Sequence, residues 1–345
     1  MKKISVIIPA YNTVTFVEKC LRSVLSQTFR NIEIILVDDC STDGSENICA
    51  RYAEAYDNII YIRNKVNCGV SFARNVGIRH TKGDFIAFLD SDDYWYPWHI
   101  EESVAVLELQ EHKICSALWD ENLGEKKIYF GNKNQLTWFG NDLKNKFDIT
   151  LEDKLWKFND SFYEYILTTG FYCFHINTIV FDKLILNDID LFNENLRVCE
   201  DLEFLYRVFS RYPLATINRP HFMYNYGIDN LHAFIGQDTD YENYSYKTKQ
   251  RVIQNLEYEV SFYEMLISES NESSFNFNNP GLVKNSICNN IVTRCLTIML
   301  LSNEGDEKFD YYHMKAQEFA QNEQLQFILK HRNKKTVIPR YVCLG

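Results

Sequence analysis

The chain has 345 residues, 46% of them hydrophobic, so it can bury a large core in one big domain or in one domain with a smaller addition. Its formal net charge of −11 argues against a general nucleic-acid binder, because such proteins neutralise phosphates with Lys and Arg. Ten scattered cysteines, without a C-x-x-C pair or a nearby His at ligand spacing, indicate neither a zinc site nor a disulfide scaffold.

Targeting signals are weak in this sequence. The apolar run after Met1 is too short for a signal peptide, and no stretch reaches the roughly 18 to 20 apolar residues of a membrane span. We therefore expect a cytoplasmic protein, with at most peripheral contact at the inner face of the cytoplasmic membrane. A basic cluster from Lys330 to Lys335 could rest on anionic lipid, and a solvated tail is the alternative.

Short apolar runs and helical spacings alternate from residue 4 to about residue 110. The runs predict buried strands, and the spacing between them predicts amphipathic helices. This alternation predicts an α/β fold with right-handed βαβ units, a mostly parallel sheet and helices on both faces. The predicted strands are residues 4–8, 32–37, 59–62 and 85–89.

Candidate binding residues follow three of these strands. Pro9 and Tyr11 come after the first strand, Asp39 follows the second, and the fourth runs into Asp90-Ser91-Asp92-Asp93. Because open parallel sheets bind ligands at the carboxyl ends of their strands, these residues predict one acidic cleft. Crowded carboxylates raise one another's pKa unless a cation or donors lie among them, and such oxygen ligands suit Mg²⁺ or Mn²⁺. A solvated acidic turn that caps the next helix is the alternative.

Two common nucleotide motifs are missing from the sequence. No G-x-G-x-x-G follows the first strand, and no G-x-x-x-x-G-K-[ST] occurs anywhere. Their absence argues against a dinucleotide fingerprint and a P-loop. A nucleotide in this cleft would instead be bound by side chains and a carboxylate-held divalent ion, which presents positive charge to a diphosphate.

Five sequence blocks stand in a recognisable order and spacing: Ser5 to Asn12, Ser26-Gln27-Thr28, Glu33 to Ser45, Asn67 to Asn75, and Asp90 to Asp93. Together they resemble glycosyltransferase family 2 on a GT-A fold. Each block alone is a weak signal, and the set in register is a specific one. The resemblance implies a metal-dependent, inverting transferase that takes a hexose or N-acetylhexosamine from a UDP-sugar.

The same resemblance assigns the donor-binding residues. Pro9 and Tyr11 would line the uracil, with Tyr11 stacking on it. Asp39 would accept a hydrogen bond from uracil N3–H, and Arg74 would lie near the uracil or the phosphates. The ordinary alternatives are packing at the core edge for Tyr11, a helix cap for Asp39 and a surface charge for Arg74.

In the acidic turn, the resemblance makes Asp92 the ligand of Mn²⁺ or Mg²⁺. Asp90 would support it, either at the metal or through the ribose or the metal's water shell, and Ser91 between them is counted with the donor-binding residues. Asp93 is a weaker candidate, because it could simply cap the helix that begins near Trp98.

A second pair of acids, Glu200 and Asp201, opens an amphipathic helix and resembles the family's other signature. Inversion at the anomeric carbon needs a base that takes the proton of the acceptor hydroxyl. We assign Asp201 as that base, with Glu200 orienting it or the acceptor. The alternative is that both acids only satisfy the N–H groups and dipole of the helix start.

The rest of the chain is less patterned. We expect residues 1–235 to form the catalytic domain, with a donor half (1–110) and an acceptor half (111–235), and residues 236–345 to form a helical extension. Strands are predicted at 177–181, 215–217 and 221–226, and His232 is either a metal or phosphate ligand or an exposed loop residue. Aromatic residues from Trp119 to Tyr172 would stack on sugars or form core.

The sequence therefore predicts transfer of a sugar to a hydroxyl of a glycan acceptor, such as lipooligosaccharide, capsule or a lipid-linked oligosaccharide. One alternative is a catalytically inactive relative that binds a nucleotide-sugar or a glycan. Metal-dependent nucleotidyl transfer or pyrophosphorolysis is a third possibility, although the basic, glycine-rich loop that such enzymes place after the first strand is missing.

Overall fold

The computed structural model describes residues 2–123, 126–129, 133–225, 246–271, 277, 279–302 and 306–320. The chain divides into two compact units, one of Met1–Tyr163 with Phe171–Ile228 and one of Glu164–Gly170 with Asp229–Gly345. The predicted domain boundary near residue 235, His232 and the basic cluster at 330–335 all lie outside the described residues.

The first unit begins with four parallel strands in the order β3-β2-β1-β4. Every residue of β1, β2 and β4 is buried, as expected for apolar runs that are covered on both faces of a sheet. The predicted alternation is confirmed by the helices between them. These elements are β1 (Ile4–Ala10), α1 (Val17–Leu25), β2 (Ile32–Asp38), α2 (Ser45–Ala55), β3 (Ile59–Arg63), α3 (Val70–His80) and β4 (Phe85–Phe88).

The second half of this unit extends the same sheet. A short strand, β9, pairs antiparallel with both β4 and β6, and β10 runs parallel to β6. The sheet thus remains continuous in the order β3-β2-β1-β4-β9-β6-β10-β5. The elements are β5 (Tyr94–Trp95), α4 (His99–Glu108), β6 (Ile114–Leu123), β7 (Lys126–Tyr129), α5 (Lys133–Phe147), β8 (Leu155–Lys157), β9 (Val180–Asp182), α7 (Glu200–Phe209) and β10 (Leu214–Asn225). Helix α6 (Phe162–Thr169) begins in this unit and belongs to the second unit from Glu164 onwards.

Two strand predictions in this half were wrong in detail. Residues 215–217 and 221–226 were predicted as separate strands, but β10 is one strand whose register shifts on either side of Pro220. The predicted strand 177–181 instead starts as a 3-10 turn, Ile176–Thr178. The turn forms because the Asn177 N–H donates to His175 Nδ1 and the His175 N–H donates to Thr178 Oγ1, a local capping arrangement.

The aromatic residues of this half are mostly core. Trp156 is completely buried, and the rings of Phe158 and Phe162 stack with centroids 4.1 Å apart. Trp119 and Phe171 are also buried. Their burial contradicts sugar stacking for these side chains and supports the core alternative.

The second unit is helical in the part that the structure describes, as predicted for the C-terminal region. Arg294 on α9 donates to Glu259 on α8 at 2.7 Å and lies over the ring of Tyr263, so a partly buried ion pair joins the two helices. None of the described helices is long and apolar enough to cross a membrane. The helices are α8 (Tyr246–Asn271), α9 (Pro280–Leu301) and α10 (Glu307–Phe319).

Candidate active site

The turn after β1 presents Tyr11 to solvent. The Asn12 N–H donates to Ser41 Oγ at 3.0 Å, and Asn12 Oδ1 accepts from the Thr42 N–H at 2.9 Å. These bonds tie the turn after β1 to the turn after β2, since β1 and β2 are parallel neighbours. Pro9 is buried below, and Tyr11 is 49% exposed at the edge of the cleft, so core packing does not account for its ring.

Asp39 is buried and holds the start of α3. Its carboxylate accepts from the Gly69 N–H at 2.7 Å, from the Cys68 N–H at 3.0 Å and from Asn64 Nδ2 at 2.8 Å. Gly69 has a φ of +94°, a conformation that favours glycine. Asp39 therefore caps a helix, but the helix is α3 rather than the one that follows it in sequence. Sequence reasoning missed Asn64, which carried no motif signal of its own.

Arg74 is a buried cation among these carboxylates, and it is not the surface charge of the alternative interpretation. It is 2% exposed and donates to Asp90 Oδ1 and to Glu200 Oε1, each at 2.8 Å. Its guanidinium lies 5.3 Å from the ring centre of Phe192, and its Nε has no partner among the described residues. Arg74 thus brings the carboxylate after β4 and the acidic helix start of α7 into one cluster.

Negative charge exceeds positive charge in this cluster. Burial raises the pKa of Glu200 to about 7, the neighbouring Asp201 charge adds to this, and Arg74 opposes it. Burial, followed by the charge of Asp90, raises the pKa of Asp92 to about 6. One buried guanidinium cannot balance four nearby carboxylates, so the cleft favours a further cation.

The acidic turn itself is tightly tied to its surroundings. Ser91 is buried, and its Oγ accepts a hydrogen bond from Thr13 Oγ1 at 3.0 Å. The alternative that Asp93 caps the next helix is contradicted, because α4 begins at His99 without a side-chain cap and Asp93 is 2% exposed. Asp93 accepts instead from two amide groups of other elements, and burial followed by the Asp92 charge raises its pKa well above the usual range.

The carboxylates of Asp90 and Asp92 fit a divalent cation only as a partial ligand set. Within the described ranges, no group of three or more His, Cys, Asp or Glu side chains forms a metal site. Both oxygens of Asp93 already accept from amide donors, which leaves Asp90 and Asp92. Mg²⁺ typically takes one or two carboxylates and completes its sphere with water and substrate phosphates, and Mn²⁺ accepts the same oxygen ligands. The donor set is therefore suited to a metal shared with a phosphate ligand.

Left-handed backbone marks three borders of the cleft. Asn12, Cys40 and Cys199 have φ values of 51°, 68° and 60° and directly adjoin Tyr11, Asp39 and Glu200. Non-glycine residues in this region cost energy, and they concentrate where surrounding structure fixes a functional side chain. No sequence signal for this conformation was available at the two cysteines.

The fold is of the GT-A type. Its sheet has the strand order described above and carries acidic residues at its carboxyl edge. Solved structures confirm this fold. TarS from S. aureus, solved with UDP, superposes with a TM-score of 0.50 at 18% identity over 92% of this chain and 88% of its own. The mannosyltransferase PcManGT from Pyrobaculum calidifontis, solved with GDP-Man and Mn²⁺, gives 0.51 at 13% identity over 99% and 86%. At these identities the likeness establishes the fold alone.

Sequence comparisons give the family. Residues 5–172 match the profile of Glycosyl transferase family 2, so the chain carries a domain of that family, as the five blocks indicated.

Curated relatives from bacteria agree with this assignment. Glycosyltransferase GlyA of Streptococcus pneumoniae is 38% identical over 129 residues, 37% of this chain and 18% of its own. The glucosyltransferase WfaP of Escherichia coli, named for UDP-Glc and an α-D-GlcNAc-diphosphoundecaprenol acceptor, is 40% identical over 111 residues, or 32% and 43%. An uncharacterised glycosyltransferase of Rickettsia typhi is 30% identical over 207 residues, or 59% and 58%. The chain thus spans 18 to 58% of the length of these relatives.

Proposed function

We propose that this protein is an inverting glycosyltransferase that moves a sugar from a UDP-sugar to a hydroxyl of a bacterial surface glycan. The observation that carries the proposal is the Arg74 bridge, which joins Asp90 of the family's donor-side signature to Glu200 of its acceptor-side signature. A transferase needs both groups at one reacting centre, because the leaving diphosphate and the attacking hydroxyl lie on opposite sides of the same carbon.

For the donor, we propose UDP in the cleft between the turns after β1 and β2. Tyr11, half exposed beside Pro9, offers a ring face for uracil. Asp39 is the proposed acceptor for uracil N3–H, through a lone pair that its bonds to Asn64, Cys68 and Gly69 leave available. Relatives support this choice: TarS is solved with UDP and with UDP-GlcNAc, and WfaP is named for UDP-Glc. Arg74 and Ser91 complete the proposed donor-binding set from the floor of the site, where both are buried and bond to Asp90 and Thr13.

For the metal, we propose that Asp92, supported by Asp90, holds Mn²⁺ or Mg²⁺ together with the diphosphate. The uncompensated charge of the acidic turn and the raised pKa of Asp92 support this role. When bound, the ion would supply positive charge that stabilises the leaving diphosphate. PcManGT, which shares the fold, is solved with Mn²⁺.

For the base, we propose Asp201. Glu200 is committed to Arg74 by a 2.8 Å ion pair, so it orients the site, and Asp201 is left to accept the proton of the acceptor hydroxyl. As that proton moves to Asp201, the acceptor oxygen bonds to the anomeric carbon and the bond from that carbon to the UDP oxygen breaks. The acids also suit the first turn of α7, where N–H groups favour negative charge.

The remaining assignments belong to the same proposal. The transferred sugar is a hexose or N-acetylhexosamine, and the acceptor is a lipooligosaccharide, a capsule or a lipid-linked oligosaccharide, in keeping with the lipid-linked acceptor in the name of WfaP. The catalytic domain spans residues 1–235, with the helical region after it. We place the protein in the cytoplasm, with peripheral contact at the inner face of the membrane.

Asp201→Asn tests the proposed reaction. We expect UDP release from a UDP-sugar and acceptor to fall about 10²- to 10⁴-fold while the affinity for UDP stays unchanged, because only proton transfer is removed. Glu203→Gln is the matched control on the same helix, since it loses an ion pair with Arg207 and should keep parental turnover. Parental turnover in Asp201→Asn would rule out its role as base. Tight UDP binding without UDP release from any donor would favour the inactive, binding-only alternative.

A further inference from the structure

Asn177 supports the acidic turn from below. It is completely buried, its Oδ1 accepts from the Asp90 N–H at 3.0 Å, and its Nδ2 donates to Asp93 Oδ2 at 2.7 Å. Its own carbonyl accepts from Trp95 Nε1 at 2.6 Å, which fixes the 3-10 turn against β5. The amide of Asn177 is therefore locked in one orientation, with its oxygen towards Asp90 and its nitrogen towards Asp93.

Asn225 holds the other side of the same turn. Its N–H donates to Asp93 Oδ1 at 2.8 Å, and its Nδ2 donates to the carbonyl of Asp92 at 2.8 Å. Asn225 ends β10, which runs beside β6, so its position is set by the sheet. The Asp90 N–H is thus bonded to Asn177, and the Asp92 carbonyl is bonded to Asn225.

Asp93 joins these two supports. Its carboxyl group accepts from Asn177 with one oxygen and from Asn225 with the other, so a single buried side chain connects the 3-10 turn to the end of β10. Asp93 and Asn177 are 2% and 0% exposed, which keeps them away from any ligand in the cleft. They can act on a ligand only through Asp90 and Asp92.

These hydrogen bonds oppose the electrostatic repulsion between Asp90 and Asp92. Asp90 and Asp92 carry like charges two residues apart, and mutual repulsion would turn their side chains away from a shared ligand. Supporting groups that orient ligand carboxylates commonly change metal affinity when they are altered, by roughly 10- to 100-fold. Bonds to the Asp90 N–H and the Asp92 carbonyl fix both ends of the turn before a ligand arrives.

We infer that Asp93, Asn177 and Asn225 form an amide clasp of positioning residues, which orients Asp90 and Asp92 for joint binding of a divalent cation and a diphosphate. This inference rests on the proposed donor site and extends it to three residues outside the ligand sphere. The clasp does not touch the substrate. Its expected signature is a change in metal and diphosphate affinity rather than in the binding of the nucleoside part.

A reciprocal exchange tests the clasp. Asp93→Asn alone places an NH₂ group against another donor, either Asn177 Nδ2 or the Asn225 N–H. Asn177→Asp alone places one of its carboxyl oxygens against a carboxyl oxygen of Asp93. Each single variant therefore loses one hydrogen bond of the clasp. The double variant restores all of them, because the new amide at position 93 donates to the new carboxylate at position 177. The remaining oxygens still accept from the N–H groups of Asn225 and Asp90.

The readout is the Mn²⁺ concentration that gives half-maximal thermal stabilisation by UDP. We expect each single variant to need about 10-fold more Mn²⁺ or worse, and the double variant to return to within about 3-fold of the parent. Asn225→Ala keeps the backbone N–H bond to Asp93 and removes two side-chain bonds, the one to the Asp92 carbonyl and the one accepted from Asn122 Nδ2. It should fold readily and show an intermediate shift. Ser5→Ala is the matched control, since it deletes a buried hydrogen bond to Glu33 at the opposite edge of the sheet.

The outcomes separate the two proposals. Lower melting temperatures with an unchanged Mn²⁺ requirement in Asp93→Asn, Asn177→Asp and Asn225→Ala would show a purely structural role and overturn the inference. A double variant as impaired as the singles would also contradict it. If the parent protein shows no Mn²⁺-dependent stabilisation by UDP, the proposed donor site is contradicted. The inferred role of the clasp is then contradicted as well, because it depends on that site.

Discussion

The sheet of the first unit buries carboxylates at both of its edges, and the two edges treat them in opposite ways. At the amino edge, Glu33 accepts from Ser5 Oγ at 2.5 Å and from the N–H groups of Lys82 and Gly83 at 2.6 and 3.0 Å. Lys3 Nζ lies 2.9 Å from its other oxygen. Burial raises the pKa of Glu33, but these bonds outweigh it and the net shift is downwards.

At the carboxyl edge, burial outweighs hydrogen bonding in setting the pKa of Asp92. Burial and the charge of Asp90 raise its pKa to about 6, and among the described residues its own backbone N–H is the one donor that lowers it. The contrast shows that donors, and not burial alone, decide whether a buried carboxylate stabilises a fold. A carboxylate left under-satisfied costs stability and is available to a cation, which is the usual compromise at a functional site.

Removing the charge at each edge gives the sharpest test of this contrast. Glu33→Gln should lower the free energy of unfolding by about 2 to 4 kcal/mol, because Lys3 loses its counter-charge and the new NH₂ group must face either Lys3 Nζ or the N–H groups of Lys82 and Gly83. Asp92→Asn should raise it by about 1 to 3 kcal/mol at pH 7.5, because it removes a poorly compensated charge. Chemical denaturation without metal measures both, and the contrast fails if the two changes have the same sign.

The pH dependence separates the two edges again. The pKa of Asp92 is raised from 3.8 to about 6, so its charge does not destabilise the folded protein below about pH 4. Above about pH 7 the carboxylate is ionised, and the full destabilisation is present. The advantage of Asp92→Asn should therefore grow between these limits. The lowered pKa of Glu33 works the other way, since its stabilisation is present above its usual value of 4.5 and is lost as the pH falls below it. Parallel pH profiles for the two variants would contradict this assignment.

Gly69→Ala sharpens the comparison with a smaller effect. Gly69 has a φ of +94°, and an added Cβ would lie 2.9 Å from Arg197 Nη1, so we expect a loss of about 1 to 2 kcal/mol. The N–H groups held by Asp39 would shift as well, which should weaken UDP binding. Gly281→Ala on α9 is the control, because its Cβ meets only one atom within 4 Å, at 3.8 Å. Equal stability and UDP affinity in both variants would exclude strain at the carboxyl edge.

The sequence was sufficient for features that depend on neighbours along the chain. Apolar runs bounded by turns located β1 to β4, and parallel pairing then placed Tyr11, Asp39 and Asp92 at one edge. It was insufficient where a side chain chooses a distant partner. Arg74 bonds to Glu200 across 126 residues, and nothing local distinguishes that guanidinium from a surface charge.

The three clasp residues show the same limit. A helix cap was one alternative for Asp93, and Asn177 and Asn225 were each predicted as part of a strand. Asn225 does lie in a strand, β10, but local preference gave no sign of the hydrogen bonds that join these three residues across 84 and 132 positions. Asparagine and aspartate carry strong local turn and cap preferences, so their long-range roles are the hardest to read from one sequence.

The Arg74 bridge also has a consequence for how the chain folds. Its guanidinium is buried, yet one of its two anions arrives only with α7, more than a hundred residues later in synthesis. Until then the nascent donor half must either leave this side chain hydrated or bury it with half of its neutralising charge, and burial of an incompletely paired cation is unfavourable. The buried charge of Arg74 can therefore be fully balanced only after the helix that carries the proposed base has been synthesised and has packed against α3.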